Sequence, residues 1–258
     1  MKKILSLGTL LFSANLYAAG GFTWISTIQN LFGTHIAEYI ITYSFVGLVL
    51  IAIGLLYRTR MAKVPNAVIP DKGITLRNLS ELYGQFIYSQ CKAVIGEKEA
   101  DKYFGFISTI FIVILFSNVI GLIPGFLPPT EYLNTTLALG VFSFIYYNFV
   151  GAREVGFINY LKHFAGPLWY MAILIFPIEI ISNFIRPISL ALRLRGNMYG
   201  DHLVLVQFSD LAPLIVPIAA MLLGLLVCFI QAYVFTVLSM VYISLAVAHH
   251  DHDEHAHH

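Results

Sequence analysis

Residues 176–202 read FPIEIISNFIRPISLALRLRGNMYGDH. They sit in an apolar stretch running from Leu168 to about Phe208, yet they carry Glu179, Arg186, Arg193, Arg195, Asp201 and His202. The chain around them is 258 residues long, 58% hydrophobic and 11% charged. Soluble domains run about 45–50% apolar and about 25% charged, so this composition specifies an integral membrane protein. A charge at bilayer depth costs at least about 2.5–3.5 kcal/mol on insertion scales; such groups face protein or a water-filled cavity and mark ion or proton paths. Snorkelling to the interface explains one or two of the six. The whole set needs a function.

Helical geometry sorts these residues. At about 100° per residue, and with Arg193 set to zero, Glu179, Ser182, Arg186, Ser189 and Asn197 all fall within about 40° of it. On the same scale Arg195 and His202 fall near about 200° and 180°, and Asp201 near about 80°. A continuous helix therefore carries two polar faces leading toward Arg193 from different ends. Pro177 and Pro187 are the positions at which it could kink. Length adds a constraint: Leu168 to Phe208 is roughly 60 Å of helix and Ile215 to Ala248 roughly 50 Å, against about 30 Å of hydrocarbon. Tilts are normally within about 40°, so the expectation is a long, strongly tilted hairpin laid across a neighbouring protein surface.

Three shorter uncharged runs precede the hairpin: Ile40 to Tyr57, Phe104 to Leu127 and Leu133 to Val150. Each approaches the roughly 20 residues that cross a bilayer. Between the first two, Leu76, Leu79, Tyr83, Phe86, Ile87 and Val94 recur at helical spacing among Arg77, Glu81, Gln85 and Lys92, which suits an amphipathic helix lying in the interface. The fold class read from the sequence is all-α integral membrane, with five transmembrane helices, one interfacial helix and no internal repeat.

Lys and Arg set the orientation, because cytoplasmic loops carry the positive excess. Arg58, Arg60, Lys63, Lys72, Arg77, Lys92, Lys98 and Lys102 follow the first run, and Arg153 and Lys162 follow the third. The stretch from Ile4 to Tyr57, the Pro128 to Asn134 turn and everything after Gly196 have none. The expected N-terminus is periplasmic, the Pro128 to Asn134 turn faces outside and the C-terminus is cytoplasmic. Residues 1–19 pair Lys2 and Lys3 with an apolar run and small residues, the pattern of a signal peptide or of a short N-terminal anchor. Residues 20–248 form one polytopic domain, and 249–258 a His- and Asp-rich cytoplasmic tail read as solvated rather than as a metal site.

The net charge of +1 excludes a strongly basic nucleic-acid binder. The two cysteines exclude a disulfide scaffold and a cysteine-based metal or redox site; Cys228 reads as packing and Cys91 as a free thiol at the cytoplasmic interface. His35 and His163 read as interfacial. No G-x-S-x-G, H-E-x-x-H or phosphate-loop motif is present, so no catalytic, cofactor-binding or metal-ligating residue is expected. A secondary ion transporter would also bury charges, but would be expected to show a repeated half. A purely structural subunit would leave Glu179, Arg193 and His202 unexplained.

The run Arg186-Pro187-Ile188-Ser189-Leu190-Ala191-Leu192-Arg193-Leu194-Arg195-Gly196-Asn197-Met198-Tyr199-Gly200 closely resembles the signature of the a subunit of F-type ATP synthases. The likeness extends through Gln231-Ala232-Tyr233-Val234-Phe235 and through Asn118 to Pro124. The resemblance implies that Arg193 is the essential stator arginine, that Asn197 and Gln231 are polar partners near it, and that Ser189 and Glu179 lie on the cytoplasmic-side path. Where some bacterial members carry glycine and glutamate, this chain has Asp201 and His202, and Gly224 replaces a histidine found in some of them. The resemblance therefore assigns the outer proton path to His202 and Asp201. It also implies the partners: a c-ring of small hairpin subunits, b-type peripheral stalk subunits, a soluble ATPase head reached indirectly, and the lipid of a bacterial inner membrane. Nucleotide chemistry then belongs to partner chains.

Overall fold

The computed structural model describes residues 23–25, 37–61, 73, 75–123, 125–154, 156, 160, 172–209 and 215–247. Among them stand six α-helices: α1 Glu38–Met61, α2 Leu76–Val94, α3 Glu97–Val119, α4 Leu133–Glu154, α5 Ala172–Ser209 and α6 Ile215–Val247. Five stretches are long and apolar enough to cross a membrane, Glu38–Met61, Glu97–Leu122, Leu133–Glu154, Ile175–Val204 and Ile218–Val247. Helix α2 is not among them. The signal-like segment, the His-rich tail, His35 and His163 lie outside the described residues.

Helix α2 begins where Thr75 accepts a hydrogen bond from the Asn78 backbone N–H at 3.3 Å, satisfying one of the donors that a helix start leaves open. Arg77 is buried and held to Glu81 at 2.7 Å, one turn on. Ile87 and Cys91 bury completely against α3, but Leu79 is 62% exposed. The apolar stripe expected across α2 is therefore narrower than its sequence suggests, since Leu79 points away from the bundle. Cys91 is a free thiol, as expected, and it is wholly buried. Gly96, at φ 104, turns the chain from α2 into α3, a backbone state only glycine adopts cheaply.

Helix α3 starts earlier and ends sooner than the uncharged run Phe104 to Leu127 implied. Its first turns carry Glu97 and Glu99, which suit a helix N-terminus. After a 3-10 turn at Ile120–Leu122 the chain bends at Gly125, φ 86, and through Pro128. A second 3-10 turn, Pro129–Glu131, leads into α4. This connection folds back over the end of α3, where the Thr130 hydroxyl donates to the buried Asn118 Oδ1 at 2.7 Å.

Helix α6 is the centre of the bundle. It packs on α2, α3, α4 and α5, and Ala232, Phe235, Met240 and Ile243 are fully enclosed. Small residues and hydroxyls hold the interfaces closely, as expected where lipid supplies no hydrophobic drive between helices. Ser143 of α4 and Ser239 of α6 are hydrogen-bonded at 3.0 Å. A Cβ on Gly140 of α4 would come within 2.7 Å of the Pro187 carbonyl oxygen on α5. Helix α1 stands at the edge, with only Thr42 and Val46 buried.

Helix α5 runs unbroken for 38 residues through both prolines, about 57 Å at 1.5 Å per residue. Pro187 has no N–H to offer the Asn183 carbonyl one turn back. The Tyr147 hydroxyl of α4 donates to the Asn183 Oδ1 at 2.6 Å and lies 3.5 Å from that carbonyl, so the neighbouring helix places a polar group beside what the proline leaves open.

Candidate functional site

Leu190, Ala191, Leu194 and Met198 form the buried face of α5, together with Asn183 and Pro187. On a helical wheel they centre about 100° from Arg193. Ile178, Ile181, Ile185, Ile188, Leu192 and Leu203 are exposed and centre about 100° on its other side. Arg193 thus stands on the boundary between a packed face and an outward apolar face. It is exposed, with Ser189 and Asn197, also exposed, one turn before and after. Arg195, also exposed, lies on the opposite flank.

The Asn197 amide donates to the Gln231 Oε1 of α6 at 2.6 Å. Gln231 is only 3% exposed, so this bond seals the α5–α6 seam one turn beyond Arg193. Neither amide is hydrogen-bonded to Arg193, which makes no hydrogen bond or ion pair with a described residue. The family resemblance groups these three polar residues; the structure pairs Asn197 with Gln231 and leaves the Arg193 guanidinium exposed.

Toward the start of α5, Glu179 and Arg186 face each other at 3.8 Å, and the Arg186 guanidinium lies 5.1 Å from the centre of the Tyr242 ring. Behind them runs a polar network joining α4 and α5. Asn183 donates to Asn148 Oδ1 at 3.0 Å, and Tyr160 to the same oxygen at 2.8 Å. Burial raises the Tyr160 phenol above its usual value, against a lowering influence from Arg186. Ser182 and Ser189 complete this side of the α5 stripe, half-buried and exposed respectively.

Toward the other end, about 12 Å of helix beyond Arg193, Asp201 and His202 are half-buried. Asp201 faces α6 at Gly224, where a Cβ would lie 2.6 Å from its Oδ2. The glycine leaves room for the carboxylate. His202 turns the other way, its Nδ1 3.3 Å from Glu131 Oε1 in the 3-10 turn before α4. Asp201, His202, Asn118, Gly121 and Cys228 line a cavity of about 30 Å³, enough for one water. Burial, followed by the nearby Glu38 and Glu131 carboxylates, pushes the Tyr132 phenol up, consistent with an acidic field at this end. Among the described residues no group of three potential metal ligands comes together.

Two residues of this cluster escaped the sequence reading. Glu131 belongs to the turn between the second and third spans, which has no basic residue, and Asn118 to the apolar end of the second span. A lone acid beside a span boundary was the available signal for Glu131. What it meets depends on how the α3–α4 connection folds back.

Comparison with known proteins places the chain's membership. The family model described as "ATP synthase A chain" matches residues 39–244. The chain is 43% identical to the ATP synthase subunit a of Bdellovibrio bacteriovorus over 231 residues, covering 90% of this chain and 99% of that protein. It is 49% identical to that of Geobacter sulfurreducens over 176 residues, 67% and 76% of the two chains. With that of Campylobacter concisus it shares 39% over 221 residues, 85% and 94%.

Proposed function

Because this chain belongs to the ATP synthase A chain family, as a multi-pass subunit a of a bacterial F-type enzyme, we propose that it is the proton-conducting stator. It offers Arg193 to carboxylates carried past it on a ring of small hairpin subunits. The observation that carries this reading is the position of Arg193: without an ion pair among the described residues, on the border of an outward apolar face, with polar clusters on either side along α5.

The physics follows from burial. A protonated carboxyl crosses lipid cheaply; an ionised one does not. Opposite charges about 4 Å apart attract by roughly 4 kcal/mol at an effective dielectric near 20, so a ring carboxyl meeting Arg193 is driven to release its proton. Released protons leave on the side of Ser189, Arg186 and Glu179, toward the cytoplasm. Reloading comes from the side of Asp201 and His202, whose imidazole can accept and donate a proton in turn. Arginine stays charged and carries no proton itself, so it separates the two half-channels and the proton must ride the ring. Each charge moved through 100 mV delivers about 2.3 kcal/mol, which drives rotation.

Asn197 and Gln231 close the α5–α6 seam between the two paths. Glu179 is held by Arg186 and acts there as a gated acceptor rather than as a free carboxylate. Helices α5 and α6, both longer than the bilayer is thick, lie strongly tilted across the ring. The positive-inside pattern puts the α3–α4 turn outside and the C-terminus in the cytoplasm. A b-type stalk holds the subunit against the ring's torque, and the ATPase head couples indirectly through these partners.

Purification of the chain from its own membrane tests this reading. It should bring a ring of hairpin subunits and a soluble ATPase with it, and vesicles holding the assembly should make ATP from an imposed proton gradient. Isolation of the chain without a ring, or activity that needs neither gradient nor ring, would point to a separate transporter.

A further inference from the structure

Glu131 meets His202 but has no part in the two half-channels of the stator reading. Its side chain is 15% exposed; one carboxylate oxygen faces His202 at 3.3 Å, and the other is buried without a hydrogen-bond partner among the described residues. Leaving such an oxygen unpaired costs about 1–3 kcal/mol, more when it is charged. The turn does not need it. Glu131 contributes its backbone N–H to the Pro128 carbonyl at 3.0 Å, and the connection is locked by Thr130 on Asn118 and by Pro128 packed on Gly121. Any residue with a backbone N–H could occupy this position in the turn.

Resting on the stator reading above, we infer that Glu131 is the outer carboxylate of the proton inlet, which takes protons from the external side and hands them to His202. The placement favours this role. Asp201, the other acid at this end of α5, is turned toward Gly224 and the cavity, and α6 has no side chain at Gly224 to pair with His202. The 3-10 turn supplies the acid instead. His202 both meets Glu131 and lines the cavity that Asp201, Asn118 and Cys228 share, so it bridges the external turn and the membrane interior. Buried Asn118, whose Nδ2 has no described partner, offers that cavity a donor. Among the described residues, the charged and titratable groups around the pair are Asp201 on α5 and Cys228 on α6, which share its cavity, and Tyr132 in the connection, which the Glu38 carboxylate at the start of α1 also influences.

The transfer balances without any co-reactant. The Glu131 carboxylate gains a proton from solution and passes it to the neutral imidazole at Nδ1, regenerating the carboxylate and forming imidazolium. The imidazolium then turns about its Cβ–Cγ bond, releases the Nδ1 proton toward the cavity and turns back, which leaves the Nε2–H tautomer in which it began.

The test uses the whole enzyme in inverted membrane vesicles, with the rate of proton-driven ATP synthesis normalised to the amount of chain present. Glu131→Gln should lower the rate about tenfold or more, toward the range for loss of an acid–base group, and change the shape of the pH profile, because an acid that exchanges protons with the imidazole is gone. Glu131→Asp should retain more activity than the glutamine variant, and Glu131→Gln should add little to His202→Gln, since the two act in series. An unchanged rate and profile in Glu131→Gln overturns the inference, as does an equal loss in the Gln and Asp variants that tracks the amount of chain. Arg193→Ala in parallel separates the two levels. If that variant stays active, the stator reading falls and this inference with it; if it is inactive while Glu131→Gln is unchanged, only this inference falls.

Discussion

The hydrogen bond between Asn197 and Gln231 joins an exposed amide to one that is 3% exposed, and this difference makes its two ends unequal. Asn197→Leu strands a buried Gln231 amide, at a cost of about 1–3 kcal/mol. Gln231→Met keeps the shape of the buried side chain and leaves only an exposed Asn197, which finds other partners; side-chain hydrogen bonds between membrane helices average about 0.6 kcal/mol. The expected difference is about 1–2 kcal/mol, roughly a 5–30-fold change in the folded-to-unfolded ratio. The double variant should be more stable than Asn197→Leu alone, because it leaves no stranded amide. Reversible unfolding of the full-length chain in mixed micelles, titrated with sodium dodecyl sulfate and followed by circular dichroism, measures all three. If Gln231→Met is as costly as Asn197→Leu, or the double variant is simply additive, the bond does not seal the α5–α6 seam.

Gly140→Ala should destabilise by about 1–3 kcal/mol, since its Cβ would meet the rigid Pro187 backbone oxygen at 2.7 Å, whereas Gly54→Ala, with nothing within 4 Å, should not; the same micelle titration compares them. His202→Ala should slow proton-driven synthesis and change its pH profile, and an unchanged profile in vesicles would remove His202 from the path. Burial pushes the Cys91 thiol up to about 11, leaving about 0.1% thiolate at pH 8. Alkylation of the folded chain at Cys91, followed by mass spectrometry, should be more than about a hundredfold slower than in the unfolded chain.

Much of this was legible because a membrane chain has few charges and each needs a reason. The spacing of Glu179, Arg186, Ser189, Arg193 and Asn197 placed them on one stripe, and α5 is continuous enough for that stripe to exist. Its continuity through Pro187 was not legible, nor was the polar surrounding that Tyr147, a residue of α4, gives to Asn183 one turn before the proline. The pairing of His202 with Glu131 was equally hidden, because the residues are 71 positions apart and meet only through the folded-back α3–α4 connection. Leu79 fitted the amphipathic stripe of α2 but faces outward, since periodicity shows which residues are apolar and not how wide a neighbouring helix is. Gly224 is a departure from the family pattern in sequence; in space it is the clearance that lets Asp201 lie against α6.

Arg193→Ala tests the central claim most directly, with synthesis and passive proton flux followed in the same vesicles. The guanidinium should be indispensable, so ATP synthesis under an imposed proton gradient should disappear while the assembled membrane sector remains. Gradient-driven synthesis at the unmodified rate would contradict the assignment of Arg193 as the charge that forces protons onto the ring.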